Sequence, residues 1–110
     1  MFAKTPPPPY YAVIFTSLRT PLQDGYADMS DRMVALAAHQ PGFLGVESVR
    51  DANGLGITVS YWASEADIAD WKHHAEHTLA REQGRVAWYE GYETRVAKVE
   101  RAYTFKRQDP

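Results

Sequence analysis

The run from Tyr10 to Leu18, YYAVIFTSL, constrains the fold more than any other part of the chain. It is rich in aromatic and β-branched residues, which favour strands. Apolar side chains occupy both parities of the run, whereas a strand with one face in water alternates apolar and polar residues. The run therefore predicts a central strand of a sheet that is covered on both faces.

A helix is predicted to follow this strand. Apolar residues recur there at spacings of three and four, which is typical of an amphipathic helix: Leu22, Tyr26, Met29, Met33 and Leu36. The segment from Thr20 to Gln23 has the pattern of a capping box, with Pro21 at the first helical position. We therefore expect the helix to begin there and to end near His39, before Pro41 and Gly42.

A hairpin and a second helix come next. Phe43 to Arg50 and Leu55 to Trp62 are predicted strands, and the segment between them, 51–54, ends in Asn-Gly, which accepts positive φ. Ser64 is a predicted N-cap, because acidic residues follow it and complement the helix dipole. The second helix presents an apolar stripe that includes Ile68 and Trp71.

The last predicted strand is long, from Tyr89 to Phe105. Its apolar parity changes once, which predicts a β-bulge near Ala97 and Lys98. The element order β-α-β-β-α-β is the ferredoxin-like arrangement of the α+β class, with a four-stranded antiparallel sheet and helices on one face only. Because the first strand is apolar on both faces, we expect a second copy to cover the other face, giving a homodimer.

Length and composition bound the class of protein. The chain has 110 residues, which predicts a single domain over 10–110 after a proline-rich arm over 1–9. A net charge of −2 without a basic stripe argues against nucleic acid as a partner. The absence of cysteine excludes thiol chemistry and disulfides. No apolar stretch is long enough to cross a membrane and the start is no secretory signal, so we expect a cytoplasmic protein.

The segment 61–92 carries the candidate site. It holds all three tryptophans, three of the four histidines and three of the seven tyrosines. Aromatic rings can wall a pocket for a flat ligand, and imidazoles can move protons near neutral pH. The candidate residues of a substrate pocket are aromatic: Trp62, Trp71, Trp88, Tyr89 and, from the first helix, Tyr26. Trp71 and Tyr26 are also interpreted as core residues, because aromatics at helical spacing usually pack.

Three histidines on the second helix differ in their expected roles. His74 lies near the edge of the stripe that contains Trp71, so we expect its imidazole to face the pocket as a proton acceptor, with His77 second. His73 and His77 share a helix face, but a metal site needs a third ligand, and none is at hand. We therefore predict no metal site and a solvated His73.

Several short motifs carry a family resemblance: Pro41 to Gly45, Tyr61-Trp62, Ser64-Glu65, Trp71, His74, His77 and Trp88-Tyr89. With them the chain resembles the antibiotic biosynthesis monooxygenase (ABM) domain of the dimeric α+β barrel superfamily. The resemblance implies a dimeric barrel made of two sheets. It also implies an oxygenase that needs no cofactor: the substrate is deprotonated and itself reduces dioxygen, while His74 or His77 takes the proton.

Three functions stay open on the sequence. The chain is interpreted first as an enzyme, a cofactor-independent monooxygenase of an aromatic or quinone-like small molecule. The alternatives are a non-catalytic small-ligand binding protein with the same barrel, and a haem-binding or haem-degrading protein. Haem-degrading members of the family carry an asparagine on the first strand, whereas the one asparagine here, Asn53, lies in the hairpin turn. We expect no bound cofactor, although haem and flavin are not excluded.

Overall fold

A computed structural model describes residues 2–81 and 87–108. Its strands are β1 (Tyr10–Arg19), β2 (Phe43–Arg50), β3 (Leu55–Trp62) and β4 (Tyr89–Val99), and its helices are α1 (Tyr26–Ala38) and α2 (Glu65–Arg81). The strands form one antiparallel sheet in the order β2-β3-β1-β4. The predicted ferredoxin-like β-α-β-β-α-β fold is confirmed. No helix in the described part of the chain is long and apolar enough to span a membrane.

Strand β1 is central, as its double-sided apolar pattern predicts. It pairs with β3 along one edge and with β4 along the other. Val13 and Phe15 point towards the helices, whereas the neighbouring parity, with Tyr10 and Ala12, lies on the outer face of the sheet. Both faces of this strand therefore carry apolar side chains.

The proline-rich arm covers one end of the outer face. The Ala3 amide donates to Glu47 Oε2 at 2.9 Å, and the Thr5 hydroxyl donates to the Tyr10 hydroxyl at 3.1 Å. Tyr10, at this end of the sheet, is only 5% exposed. The expectation that this chain leaves its outer face wholly uncovered is thus wrong at this end. The rest of the face still exposes large apolar side chains: Leu18, Val49, Leu55 and Ile57.

Helix α1 begins five residues later than the capping pattern predicts, at Tyr26 instead of Pro21. Thr20 does not cap it, because its hydroxyl donates to the Ala87 carbonyl at 2.7 Å and its amide to the Trp88 carbonyl at 2.9 Å. The N-cap is instead Gly25, with a φ of 78°, and the helix ends next to His39 as predicted. A long-range contact has therefore overridden a local signal.

The predicted bulge near Ala97 and Lys98 is wrong. Pairing between β1 and β4 is regular from Tyr10–Val99 onward, and the register shifts only at the opposite end, between Leu18 and Arg19. Strand β4 stops at Val99 because β1 begins at Tyr10 and offers no further partner. The apolar residues beyond it lie outside the sheet, and Tyr103 is 88% exposed.

The packing of α2 follows its sequence signals. Ser64 is the N-cap, since its hydroxyl accepts the Asp67 amide at 3.1 Å. Ile68 and Trp71 then pack on Trp62, which is fully buried. This cluster fixes α2 on the helix-bearing face of the sheet and determines where a space is left beside it.

Candidate functional site

A cavity of about 260 Å³ lies between the sheet and the two helices. Most of its described lining is apolar and comes from both helices and from β1, β2 and β4: Val13, Phe15, Met29, Met33, Val34, Ala37, Phe43, Val46, Ile68, Trp71, Ala75, Tyr92 and Val96. Serine and threonine side chains, with Lys72 and Glu76 of α2, add polar atoms. Such a space suits a ligand with a flat apolar body.

Arg50 forms a polar end to this cavity. It is the last residue of β2 and faces the helices, where it lies over Gly56 of the paired strand. A Cβ atom on Gly56 would come within 2.6 Å of the Arg50 Cζ, so glycine leaves the room that the guanidinium needs. Arg50 Nη2 donates to Ser17 Oγ at 2.7 Å, and Nη1 donates to the Ser17 and Gly54 carbonyls.

A second arginine lies against the same end. The Arg19 Cζ atom is 3.3 Å from the centroid of the Tyr26 ring, a close cation–π contact. Its Nε donates to the Trp88 carbonyl at 3.2 Å and its Nη2 to the Leu22 carbonyl at 2.6 Å. Two cations therefore flank Tyr26, the Arg50 Cζ atom being 6.0 Å from the same ring centroid.

The hydroxyl groups of Tyr26 and Tyr89 meet beside Arg50. Tyr89 donates to the Tyr26 oxygen at 3.5 Å, and Arg50 Nη2 is also 3.5 Å from that oxygen. Burial raises the pKa of Tyr89 well above its ordinary value, and the hydrogen bond to Tyr26 raises it further, although the two arginines oppose the shift. Tyr89 is therefore a neutral hydrogen-bond donor throughout the physiological range.

Three of the five aromatic residues predicted for the pocket border the cavity: Tyr26, Trp71 and Tyr89. The other two belong to the core, so the prediction that they form pocket walls is corrected. Trp62 is fully buried beneath Trp71, and Trp88 is 6% exposed with its Nε1 donating to the Asp24 carbonyl at 2.9 Å. Trp88 instead packs beside Tyr26 and holds the turn that precedes α1.

The histidines of α2 lie outside the cavity. His73, His74 and His77 are exposed, and the first two border a shallow polar depression with Asp67 and Asp70. The cavity face of α2 carries Lys72 and Ala75, so the helix is turned away from His74. The expectation that the His74 imidazole faces the pocket is therefore wrong, while a catalytic role for His74 or His77 stays a prediction.

No metal centre is formed by the described residues: within 2–81 and 87–108 no three histidine or acidic side chains are grouped as ligands. The i, i+4 spacing of His73 and His77 thus lacks a third ligand in the described ranges.

Sequence reasoning missed Arg50 as a site residue. The signal was present, because Val46, Ser48 and Arg50 share one parity of β2 and place a cation on the face that carries apolar residues. That parity alone does not reveal that the Arg50 guanidinium has Gly56, Ser17 and Tyr26 as its neighbours. Only the pairing of three strands and the packing of α1 bring them together.

The sheet, the two helices on one of its faces and the cavity between them define a ferredoxin-like α+β domain with an internal apolar cavity. The model of the antibiotic biosynthesis monooxygenase family matches residues 9–83, and the chain belongs to this family.

Two relatives are similar in sequence. The uncharacterized protein YqjZ of Bacillus subtilis is 60% identical over 104 residues, which are 94% of this chain and 91% of that protein. Jasmonate monooxygenase ABM of Pyricularia oryzae is 31% identical over 94 residues, covering 81% of this chain. The match spans only 43% of that enzyme's length.

Solved structures share the fold at low sequence identity. PA3566 of Pseudomonas aeruginosa aligns with a TM-score of 0.66 and 17% identity, over 87% of this chain and 97% of that one. SnoaB, a cofactor-independent oxygenase from Streptomyces nogalater, aligns with a TM-score of 0.65 and 13% identity, over 92% and 97% respectively. At such identities the likeness shows the fold alone.

Proposed function

We propose that this protein is a cofactor-independent monooxygenase that oxidises an apolar, ring-containing small molecule with dioxygen. The observation that carries the proposal is the cavity, which is apolar along most of its lining and ends at Arg50, Tyr26 and Tyr89. An apolar body with one oxygen substituent would fit both parts. Family membership supports oxygen chemistry, since relatives are named as a jasmonate monooxygenase and a cofactor-independent oxygenase.

The proposed reaction uses the substrate as the reductant. An anthrone illustrates the balance: its ring CH₂ loses a proton, the resulting enolate gives electrons to dioxygen, and a C–O bond forms at that carbon. Loss of water from the hydroperoxide, with cleavage of the second C–H bond, leaves a ketone. One oxygen atom ends in the quinone and the other in water, so four electrons leave the substrate and four enter dioxygen.

The chain's own groups have three tasks in this reaction. The apolar lining excludes water from the carbanion, and the polar end holds the enolate oxygen through Arg50 and the tyrosine hydroxyls. The proton passes to a base, and the candidate that borders the cavity is Glu76, which pairs with Lys72 at 3.7 Å. His74 and His77, the bases that the sequence predicts, are outside the lining.

Filling the cavity tests the proposal. Ala75 borders the cavity, whereas Ala66 lies on an exposed part of α2 outside its lining. With an anthrone as probe, Ala75→Phe should abolish protein-dependent oxygen uptake and Ala66→Phe should leave it unchanged. Equal uptake by both variants would show that the chemistry does not occur in this cavity.

A non-catalytic small-ligand binding protein is the second candidate. The observation that favours it is that His73, His74 and His77 lie on the exposed side of α2 and are outside the described lining of the cavity. On this alternative, ring compounds bind in the cavity and Ala75→Phe displaces them, but dioxygen is not consumed faster than in protein-free solution.

We also propose that the protein forms a homodimer through the outer face of the sheet. The uncovered part of that face exposes Leu55 at 49% and Val49 at 72%. Beyond β4, Tyr103 and Phe105 are exposed at 88% and 84%, which supports a tail that packs on another molecule. A second copy, placed sheet to sheet, would bury both the outer face and this tail.

A further inference from the structure

The polar end of the cavity carries positive charge without a carboxylate partner. Arg19 and Arg50 are both half-buried and flank Tyr26. Their hydrogen bonds to the described residues all go to neutral oxygen atoms: backbone carbonyls, the Ser17 hydroxyl and the Tyr26 hydroxyl. Within residues 2–81 and 87–108 neither guanidinium forms an ion pair. A partly desolvated cation is stabilised by an anion, and the described residues supply none at this end of the cavity.

The two tyrosine hydroxyls also leave one proton without an acceptor. Between Tyr26 and Tyr89 there is a single hydrogen bond, and Arg50 can only donate. Whichever hydroxyl donates to the other, the second O–H group has no acceptor among the described residues. The contacts at this point are long, at 3.5 Å each, as expected of a site that tightens around a ligand oxygen.

We infer that the end formed by Arg50, Tyr26 and Tyr89 is an oxyanion site, and that the cavity selects flat apolar ring compounds bearing a carboxylate or an ionised phenol. Both groups present the same chemistry, a negatively charged oxygen in the plane of the ring. This inference rests on the proposed function only in placing a ligand in the cavity, and it adds that the ligand is recognised by its charge.

Isothermal titration calorimetry with three probes that share one ring system tests the inference: 2-naphthoate, 2-naphthol and the neutral 2-naphthalenemethanol. Wild-type protein should bind 2-naphthoate at least about tenfold more tightly than 2-naphthalenemethanol, the usual worth of one hydrogen bond to a charged group. Titration of 2-naphthol on both sides of its ionisation separates the two sources: affinity that rises with pH identifies a phenolate ligand, and tight 2-naphthoate binding alone identifies a carboxylate.

Variants locate the effect at the polar end. Arg50→Gln and Tyr26→Phe should each reduce the preference for 2-naphthoate by about tenfold while the affinity for 2-naphthalenemethanol is kept. Arg95→Gln is the matched control, because it removes the same net charge as Arg50→Gln. Arg95 is exposed and pairs with Glu93 away from the cavity. If circular dichroism shows that Arg50→Gln does not fold, Tyr26→Phe decides, since it retains the ring.

Equal or tighter binding of 2-naphthalenemethanol would overturn the inference, as would an equal loss of preference in Arg95→Gln. These outcomes are separable from failure of the proposed function. An intact anion preference without oxygen uptake would overturn the monooxygenase proposal alone, and oxygen uptake without any anion preference would overturn the oxyanion site alone.

Discussion

The ring of Trp71 stacks on the ring of Trp62, with centroids 6.0 Å apart and planes inclined by 22°. Trp62 belongs to β3 and is fully buried, whereas Trp71 belongs to α2 and borders the cavity. One contact thus fixes the helix on the sheet and supplies a wall of the candidate site. Substitution of Trp62 should therefore affect mainly stability, whereas substitution of Trp71 should affect mainly ligand binding.

Trp62→Ala should lower the free energy of unfolding by about 3–5 kcal/mol, because it empties a fully buried position. Trp71→Ala should cost less, since Trp71 is only partly buried, but it should weaken binding of 2-naphthoate strongly. Urea denaturation and calorimetry of both variants check this pair. A larger loss of stability in Trp71→Ala would contradict the division between core and wall.

Gly56→Ala should displace the guanidinium of Arg50, because the added Cβ would lie 2.6 Å from Cζ. We expect a loss of only about 1 kcal/mol in unfolding free energy, because the far end of the flexible Arg50 side chain can move aside at the cost of a hydrogen bond, together with a weaker preference for anionic ligands. Gly91→Ala is the control, since nothing lies within 4 Å of its Cβ position. Unchanged 2-naphthoate affinity in a folded Gly56→Ala protein would show that Arg50 need not lie where it does.

Acid should weaken the attachment of the N-terminal arm, because it protonates the Glu47 carboxylate that the arm binds. The hydrogen bonds from the Tyr61 hydroxyl, at 2.7 Å, and from the Ala3 amide, at 2.9 Å, hold the pKa of Glu47 below its ordinary 4.5. A lowered carboxyl pKa stabilises the fold above 4.5, and this contribution is lost as pH falls through the folded value. The stability difference between wild type and Glu47→Gln should therefore be present at neutral pH and vanish in acid.

High pH should weaken the contact between Tyr61 and Glu47, because it ionises the Tyr61 hydroxyl. Burial, and then the hydrogen bond to Glu47, raise the pKa of Tyr61 from 10.0 to about 12. A raised pKa stabilises the fold fully below 10.0, and the contribution is lost as pH rises towards about 12. Urea titrations of wild type and Tyr61→Phe measure this. A difference that is constant across this range would argue against the Glu47–Tyr61 contact.

His74→Ala should leave oxygen uptake unchanged, because the imidazole is exposed and borders the depression on the far side of α2. His77→Ala should behave likewise, and steady-state rates with an anthrone check both. A loss of about a hundredfold, the scale of general acid–base catalysis, would show that the sequence-based assignment of the proton acceptor holds despite this placement.

Light scattering should give the mass of a dimer. Ile57→Glu places a charge on the outer face of the sheet, where Ile57 is 41% exposed, and should shift the protein to monomer. Leu22→Glu is a matched control, because Leu22 is similarly exposed at 43% but lies before α1, away from that face. A monomeric wild type, or dissociation by both substitutions, would contradict assembly through the sheet.

The sequence predicts elements well where their signals are local. The bounds of β2 and β3 follow from a hairpin with Asn-Gly in its turn, and the start of α2 follows from the Ser64 cap. The start of α1 could not be predicted from its own residues, because Thr20 bonds to residues almost seventy positions away. Long-range hydrogen bonds of this kind leave no mark in a local pattern.

The candidate site was predicted only in part, for a related reason. Aromatic content identified Tyr26, Trp71 and Tyr89, but apolar periodicity does not fix the rotation of α2 closely enough to place His74. A shift of one position around the helix exchanges His74 for Ala75. Arg50 was missed because its role depends on Gly56 and Ser17 of two other strands.

Isotopic labelling tests the central claim most directly. Chelator-treated protein is incubated with an anthrone under ¹⁸O₂, and the products are analysed by mass spectrometry. The account predicts quinone formation above the protein-free rate, with one labelled oxygen atom in the quinone and the other in water. A rate equal to that of protein-free solution, or a quinone whose new oxygen comes from water, would contradict it.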